Sequence, residues 1–177
     1  AFSRNGDFAA NVEMIATTTP DGGRPTPGES MQTVDTPDQH TIEEVSAFLE
    51  TTPDRCLKTL VVAADDGGLV ALVLRGDHEL NAIKAQNIPE VASPMRFADA
   101  GEIREAIGCA PGSIGPIGLE IPTIVDHAAA AVSDFVCGAN VDGKHLRGAN
   151  WVRDGIEPRS ADLRNVVTGD PAPDGSG

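Results

Sequence analysis

Lys58 is the residue whose type fits its surroundings least. It opens the run Lys58-Thr59-Leu60-Val61-Val62-Ala63-Ala64, which is otherwise nearly all apolar, and lysine is rarely fully buried. At a strand end it is either an ordinary cation reaching water or a positive charge supplied to a site. A second feature is Gly112-Ser113-Ile114-Gly115-Pro116. A nucleophile elbow needs glycines two before and two after its serine, whereas here they fall one before and two after. The segment reads either as a plain turn or as a loop whose amides face an oxyanion or a sugar hydroxyl. Its glycine spacing also fails the dinucleotide fingerprint. Asp126-His127 and Asp77-His78-Glu79 are polar clusters, but no histidine pair has helical i, i+4 spacing and no H-E-x-x-H is present, so no metal is expected. Cys56, Cys109 and Cys137 are odd in number and far apart, which argues against a disulfide framework or a zinc knuckle. Free thiols point to a reducing, cytosolic compartment.

These residues belong to a chain of 177 residues with net charge −14 and about 40% apolar side chains. That suits one domain with one core. Five Phe, one Trp and no Tyr are too few rings for a single-strand stacking platform. A chain this acidic repels a long polyanion, because phosphate binding draws on clustered Lys and Arg. Any nucleic-acid contact is therefore local or helped by another domain. Residues 1–54 carry ten acidic side chains against Arg4 and Arg24. Residues 140–165, with Lys144, Arg147, Arg153, Arg159 and Arg164 among four acids, are the better place for a phosphate unless they form a mixed solvated surface. No run reaches the roughly 18 apolar residues of a membrane span, and no signal peptide is visible.

The elements that must position these groups follow from periodicity. A strand is expected at 31–35. Thr41 and Glu44 form a capping box, and Ile42, Val45, Phe48 and Leu49 then recur at helical spacing, predicting a helix over 42–50. Two strands, 58–64 and 69–74, flank the turn Asp65-Asp66-Gly67-Gly68. Being apolar on both faces, they are expected in the middle of a covered sheet. Helices are expected at 79–86 and at 99–107, where Asp99 can cap. Residues 108–118 read as irregular, 121–125 as a strand ending at Asp126, and 128–133 as a helical turn. Phe135-to-Asn140 and Lys144-to-Asn150 read as two strands joined at 141–143. Residues 16–30 and 168–177, rich in Thr, Pro and Gly, read as linkers around a body at 31–167. The fold class expected is α/β (α+β), with a mixed, largely antiparallel sheet flanked by helices.

Several stretches together resemble one family. V-D-T-P at 34–37, K-T-L-V-V at 58–62, L-R-G-D-H-E-L-N at 74–81, P-G-S-I-G-P at 111–116, D-F-V-C-G-A-N at 134–140 and G-K-H at 143–145 are similar to the insertion domain of bacterial-type prolyl-tRNA synthetases, within the YbaK-like editing superfamily. D-L-R-N-V-V at 162–167 and G-D-P-A-P-D-G at 169–175 extend the similarity. N-G-D-F-A-A-N at 5–11 looks like the junction with a synthetase core, and the last ten residues like the return.

The resemblance implies hydrolysis of alanine wrongly esterified to proline tRNA, with no cofactor. The partners implied are the alanine-bearing acceptor end of that tRNA and the synthetase core of the same chain, the parent being a homodimer. The ligase motifs themselves are absent. Matched by position, the family's central lysine falls on Lys58, its aspartate on Asp126 and its histidine on His145. The alanine pocket falls on Ile42, Val45 and Lys58, with Val45 standing where relatives carry a leucine. Thr36 is implied to meet the terminal adenosine, and Gly112, Ser113, Gly115 and Pro116 the ester carbonyl or ribose. Asp126 is followed by His127 where relatives often carry arginine. The general base is left open. A free-standing deacylase and a non-catalytic module that only binds the acceptor end are the alternatives.

Overall fold

The computed structural model describes residues 25–155 and 157–165. The expected junction at 5–11, most of the 16–30 linker and the 168–177 linker lie outside the described residues. Two sheets carry the architecture. The first is antiparallel throughout, in the order β1 (Gln32–Asp35), β6 (Lys144–Ala149), β5 (Phe135–Gly138). The second runs β2 (Leu57–Ala63), β3 (Leu69–Arg75), β4 (Thr123–Asp126), β7 (Ser160–Ala161). Its first pair is antiparallel, whereas β4 lies parallel to β3 and β7 parallel to β4. The helices are α1 (Ile42–Phe48), α2 (Ala82–Gln86), α3 (Ala100–Ala106) and α4 (His127–Ala130).

Local sequence accounts for most of these boundaries. Thr41 Oγ1 accepts from the Glu44 amide at 3.1 Å, while the Glu44 carboxylate accepts from the Thr41 and His40 amides. This reciprocal cap fixes where α1 begins. Asp99 and Glu102 repeat the device at α3. The β2–β3 hairpin pairs in full from Leu57↔Arg75 to Ala63↔Leu69. In its turn Gly67 takes a positive φ and Asp66 accepts from the Gly68 amide.

Two expectations change. The helix expected at 79–86 begins only at Ala82, because Asn81 caps it by accepting from the Lys84 amide. The two apolar strands do not both lie mid-sheet: β3 does, but β2 is an edge in the hydrogen-bond order. The outer edge of β2 is instead covered by residues 92–98, through Ala98 N to Val61 O, Ala63 N to Arg96 O and Ala92 N to Ala63 O. The two-residue β7 and the parallel β3–β4 pairing carry no local signal, since both arise from segments far apart in sequence.

The main core lies between the sheets. Leu57, Val73 and Val125 of one sheet meet Phe135, Cys137 and Leu146 of the other, with Ala129 and Trp151 closing the layer. The Phe135 and Trp151 rings sit 5.1 Å apart, and Trp151 Nε1 donates to Ala129 O. The opposite face of the second sheet packs Val62, Val70, Leu72 and Ile124 against Ala85 and Leu163. Residues 25–30 lie along the body. The Gly28 and Glu29 amides donate to Asp134, and Arg153 donates to Glu29 O. Among the described residues no helix is long and apolar enough to cross a membrane.

Candidate active site

A cavity of about 220 Å³ opens where β2 and β5 diverge beneath α1. Cys56 holds the two strands together at its base through a parallel bridge to Val136. Ile42 and Val45 of α1 form its apolar wall; Lys58 and Thr59 come from β2, Gly112 and Ile114 from the glycine loop, and His145 from β6. Its volume is below the roughly 300–1,000 Å³ of sites for drug-sized ligands. It therefore suits a small terminal group better than a whole nucleotide.

Lys58 sits at the rim. Its side chain is one-fifth exposed, and Nζ lies 3.5 Å from Glu79 Oε2, a carboxylate that is itself 79% exposed. An ion pair to so exposed a partner is worth little in water, so the ammonium can exchange Glu79 for another anion at small cost.

His145 is engaged through Nδ1 and lies beside Gly112. Its Nδ1 lies 2.6 Å from Thr36 Oγ1, and its ring also bonds the backbone of Gly112. A neutral imidazole has one N–H. Given to the Gly112 carbonyl, that proton leaves Nδ1 to accept from the Thr36 hydroxyl. Burial, then the nearby charge of His40, holds His145 below the usual histidine range. Thr36 is fully buried, and its amide donates to Gly143 O. Thr36 and His145 together therefore pin the glycine loop against the first sheet.

The loop is held from the other side as well. Asn140 donates its amide to Ser113 O, accepts the Gly115 amide and donates from Nδ2 to Ile117 O. Asp142 accepts the Ala110 amide. A Cβ on Gly115 would stand 1.9 Å from Gly138 O, and one on Gly138 would stand 2.3 Å from Ser113 O. These glycines allow backbone to pass over backbone. That differs from the expected role of turning amides toward a ligand, because the Gly115 and Ser113 amides are already bonded, the latter to Ala110 O. Gly112 and Ile114 face the cavity; Ser113 is buried behind it, and Pro116 lines a separate groove with Trp151 and Pro158.

Asp126 does not line the cavity. It is fully buried at the junction of β4 and α4. One oxygen accepts from Ala128 N, the other from Leu163 N and Arg164 N, and Arg164 Nε stands 3.7 Å away. Lys58 pairs with Leu74 across the hairpin, and continuing the Val73↔Val125 register by one residue sets Asp126 level with Leu74. The two charges thus share a row of the sheet, about 10 Å apart at the backbone, with the fully buried Leu74 between them.

Sequence reasoning passed over three contributors. Thr59 was hidden inside an apolar strand. Gly138 and Asn140, on which the loop rests, lay in a segment read only as a strand. Cys56 and Cys137 line the cavity as inert thiols: burial raises Cys56 to about 11 and pushes Cys137 far up. The basic stretch after residue 140 is largely neutralised, against its expected suitability for phosphate. Lys144 pairs with Asp35, Arg153 with Asp154, Arg159 with Glu90 and Arg164 with Asp126. Among the described residues no group of three or more His, Cys, Asp or Glu is arranged to hold a metal.

A candidate trans-editing enzyme for prolyl tRNA synthetase superposes with a TM-score of 0.64 at 21% identity, covering 77% of this chain and 87% of its own. The hypothetical protein APE2540 gives 0.62 at 22% identity, covering 77% and 92%. A scaffold protein from work on computational epitope grafting gives 0.64 at 18%, covering 77% and 88%. At these identities the likeness shows the fold: mixed α/β, with one antiparallel and one mixed sheet flanked by helices. Residues 36–154, which span the cavity from Thr36 through α1 and β2 to His145, match the aminoacyl-tRNA editing domain family, and the chain belongs to that family.

Proposed function

We propose that the chain hydrolyses the ester of alanine mischarged onto proline tRNA, as the editing domain of a prolyl-tRNA synthetase. The observation that carries this reading is the small cavity walled by Ile42 and Val45, with Lys58 at its rim and the Gly112 loop opposite. The alanine methyl lies against the α1 wall. A proline ring adds methylenes there, and each methylene discriminates by roughly 10- to 200-fold in a tight apolar pocket. This is a second sieve: the correct product is too large to enter.

In the reaction, water attacks the ester carbonyl carbon. The bond from that carbon to the ribose oxygen breaks, the ribose oxygen takes up a proton, and free alanine leaves. Lys58 supplies positive charge beside the ester or the terminal phosphate. His145, with its Nδ1 engaged by Thr36 and Gly112 beside it, acts as a positioning residue. Asp126 supports the strand row behind Lys58 and does not orient its ammonium directly. The 2′-hydroxyl of the tRNA is a group close enough to assist the water.

The motif-by-motif resemblance to the synthetase insertion domain supports action in cis. The fold shared with a candidate trans-editing enzyme supports the same chemistry from a separate chain, and the mass of the polypeptide bearing these residues in the cell separates the two. The test of the activity is deacylation of alanyl- and prolyl-tRNA. The protein should release alanine and spare proline, and Lys58→Ala should slow release by about 10²- to 10³-fold, the effect of removing one preorganised electrostatic group. Equal rates for the wild type and Lys58→Ala would overturn the reading.

A further inference from the structure

We infer that the Thr59 hydroxyl is a substrate-binding group that accepts a hydrogen bond from the α-amino group of the aminoacyl ester; this rests on the deacylase reading above. Thr59 lines the same cavity as Lys58 and is 6% exposed, and its Oγ1 has no hydrogen-bond partner among the described residues. A buried hydroxyl without a partner destabilises a fold, and native proteins rarely keep one. The strand does not call for it. Thr59 pairs with Val73 and points to the same face as Leu57 and Val61, all buried and apolar. Valine has the same branched shape and suits such a strand at least as well. A ligand that meets the hydroxyl accounts for what packing does not.

The position of Thr59 along the strand supports this. The outer edge of β2 is covered at one end, where Val61 and Ala63 bond to residues 92–98. At the other end Cys56 bridges to Val136. Thr59 lies between, facing the cavity. Backbone groups alternate in direction along an antiparallel strand. Because the backbone groups of Val61 and Ala63 point outward, the N–H and C=O of Thr59 do too, at the part of the edge that borders the cavity.

The remaining polar side chains of the cavity fit an ammonium poorly. Lys58 is a cation and would repel it. Thr41 Oγ1 already accepts the Glu44 amide, His145 Nδ1 is engaged by Thr36, and His40 is exposed to water. The Thr59 hydroxyl is the side-chain acceptor in place for an amino group whose methyl lies against Ile42 and Val45.

The test compares wild type, T59V and T59S on alanyl-tRNA and on propionyl-tRNA, which keeps the ester but lacks the amino group, together with thermal unfolding. T59V should lower kcat/KM for alanyl-tRNA by about 10- to 100-fold, as expected for one lost hydrogen bond to a charged group, and T59S should restore most of it. Propionyl-tRNA should be hydrolysed equally by wild type and T59V, and T59V should melt at or above the wild-type temperature. If T59V matches wild type on alanyl-tRNA, slows propionyl-tRNA equally, or melts well below wild type, the assignment is wrong while the deacylase reading stands. If wild type itself leaves alanyl-tRNA intact, the deacylase reading falls and takes this one with it.

Discussion

Lys58 and Asp126 occupy opposite ends of one row across the second sheet, separated by Leu74, and their surroundings differ in kind. At Asp126 three backbone amides and the Arg164 guanidinium converge on one carboxylate, although among the described residues the nearby buried His78 Nδ1 has no hydrogen-bond partner. Around Lys58 the groups are held loosely or not at all. Among the described residues the ammonium has only the exposed Glu79, and the neighbouring Thr59 hydroxyl lacks a hydrogen-bond partner. A satisfied buried network specifies the fold. Polar groups left without partners beside a cavity are what a substrate would complete. Similarity to a family brings both residues forward as site residues, but the geometry separates them: Asp126 fixes the chain around β4 and α4, and Lys58 borders the cavity.

The sharpest way to break this comparison is at Asp126. Asp126→Ala leaves three amides and Arg164 uncompensated in the interior and should destabilise the domain by about 3–5 kcal/mol, read as a large fall in the denaturant midpoint. An Asp126→Ala protein as stable as wild type but devoid of deacylation would show that the two ends do the same job. A smaller effect is expected at Thr36. Thr36→Val removes the donor to His145 Nδ1 and should reduce stability by about 1–3 kcal/mol. Because His145 then loses one of its two anchors, alanine release should also slow. Unchanged stability and rate would mean that the Gly112 loop holds without that bond.

The smallest effect sharpens the comparison through pH. Each end has one buried histidine below its usual range: His145 by burial and then the charge of His40, His78 by burial and then the charges of Arg164 and Arg75. In the unfolded chain both take up protons near about pH 6.5, while in the folded protein they stay neutral to lower pH. The unfolded state therefore binds more protons as pH falls through that window, and stability falls with it. Above the window neither histidine contributes. The denaturant midpoint should drop between about pH 7.5 and about pH 5.5, and His78→Gln and His145→Gln should each flatten part of the slope. A slope that neither substitution alters would place its origin elsewhere.

Much of the local structure could be read from the chain because its causes are local. The Thr41–Glu44 and Asp99–Glu102 boxes set two helix starts, and the Asp66-Gly67 turn sets the hairpin and so the register that carries Lys58. Motif resemblance also brought Ile42, Val45, Lys58, Gly112 and His145 forward, and all five line one cavity. The remainder depends on contacts across the chain. That β2 is an edge strand, that β4 joins β3 in parallel, and that Asn140 and Gly138 hold a loop more than twenty residues earlier in the sequence follow from segments meeting in space. Periodicity carries no trace of such meetings.

Residue types, and where the strands and helices that bear them begin and end, follow from the order of the chain. The folded arrangement sets which polar groups are already satisfied. It set His145 against Thr36, enclosed Asp126 in backbone amides, and left the buried Thr59 hydroxyl without a partner among the described residues. The physical reason is that hydrogen bonding and burial are properties of neighbours in space. A threonine within K-T-L-V-V is indistinguishable from a packing residue until the far side of its strand is known.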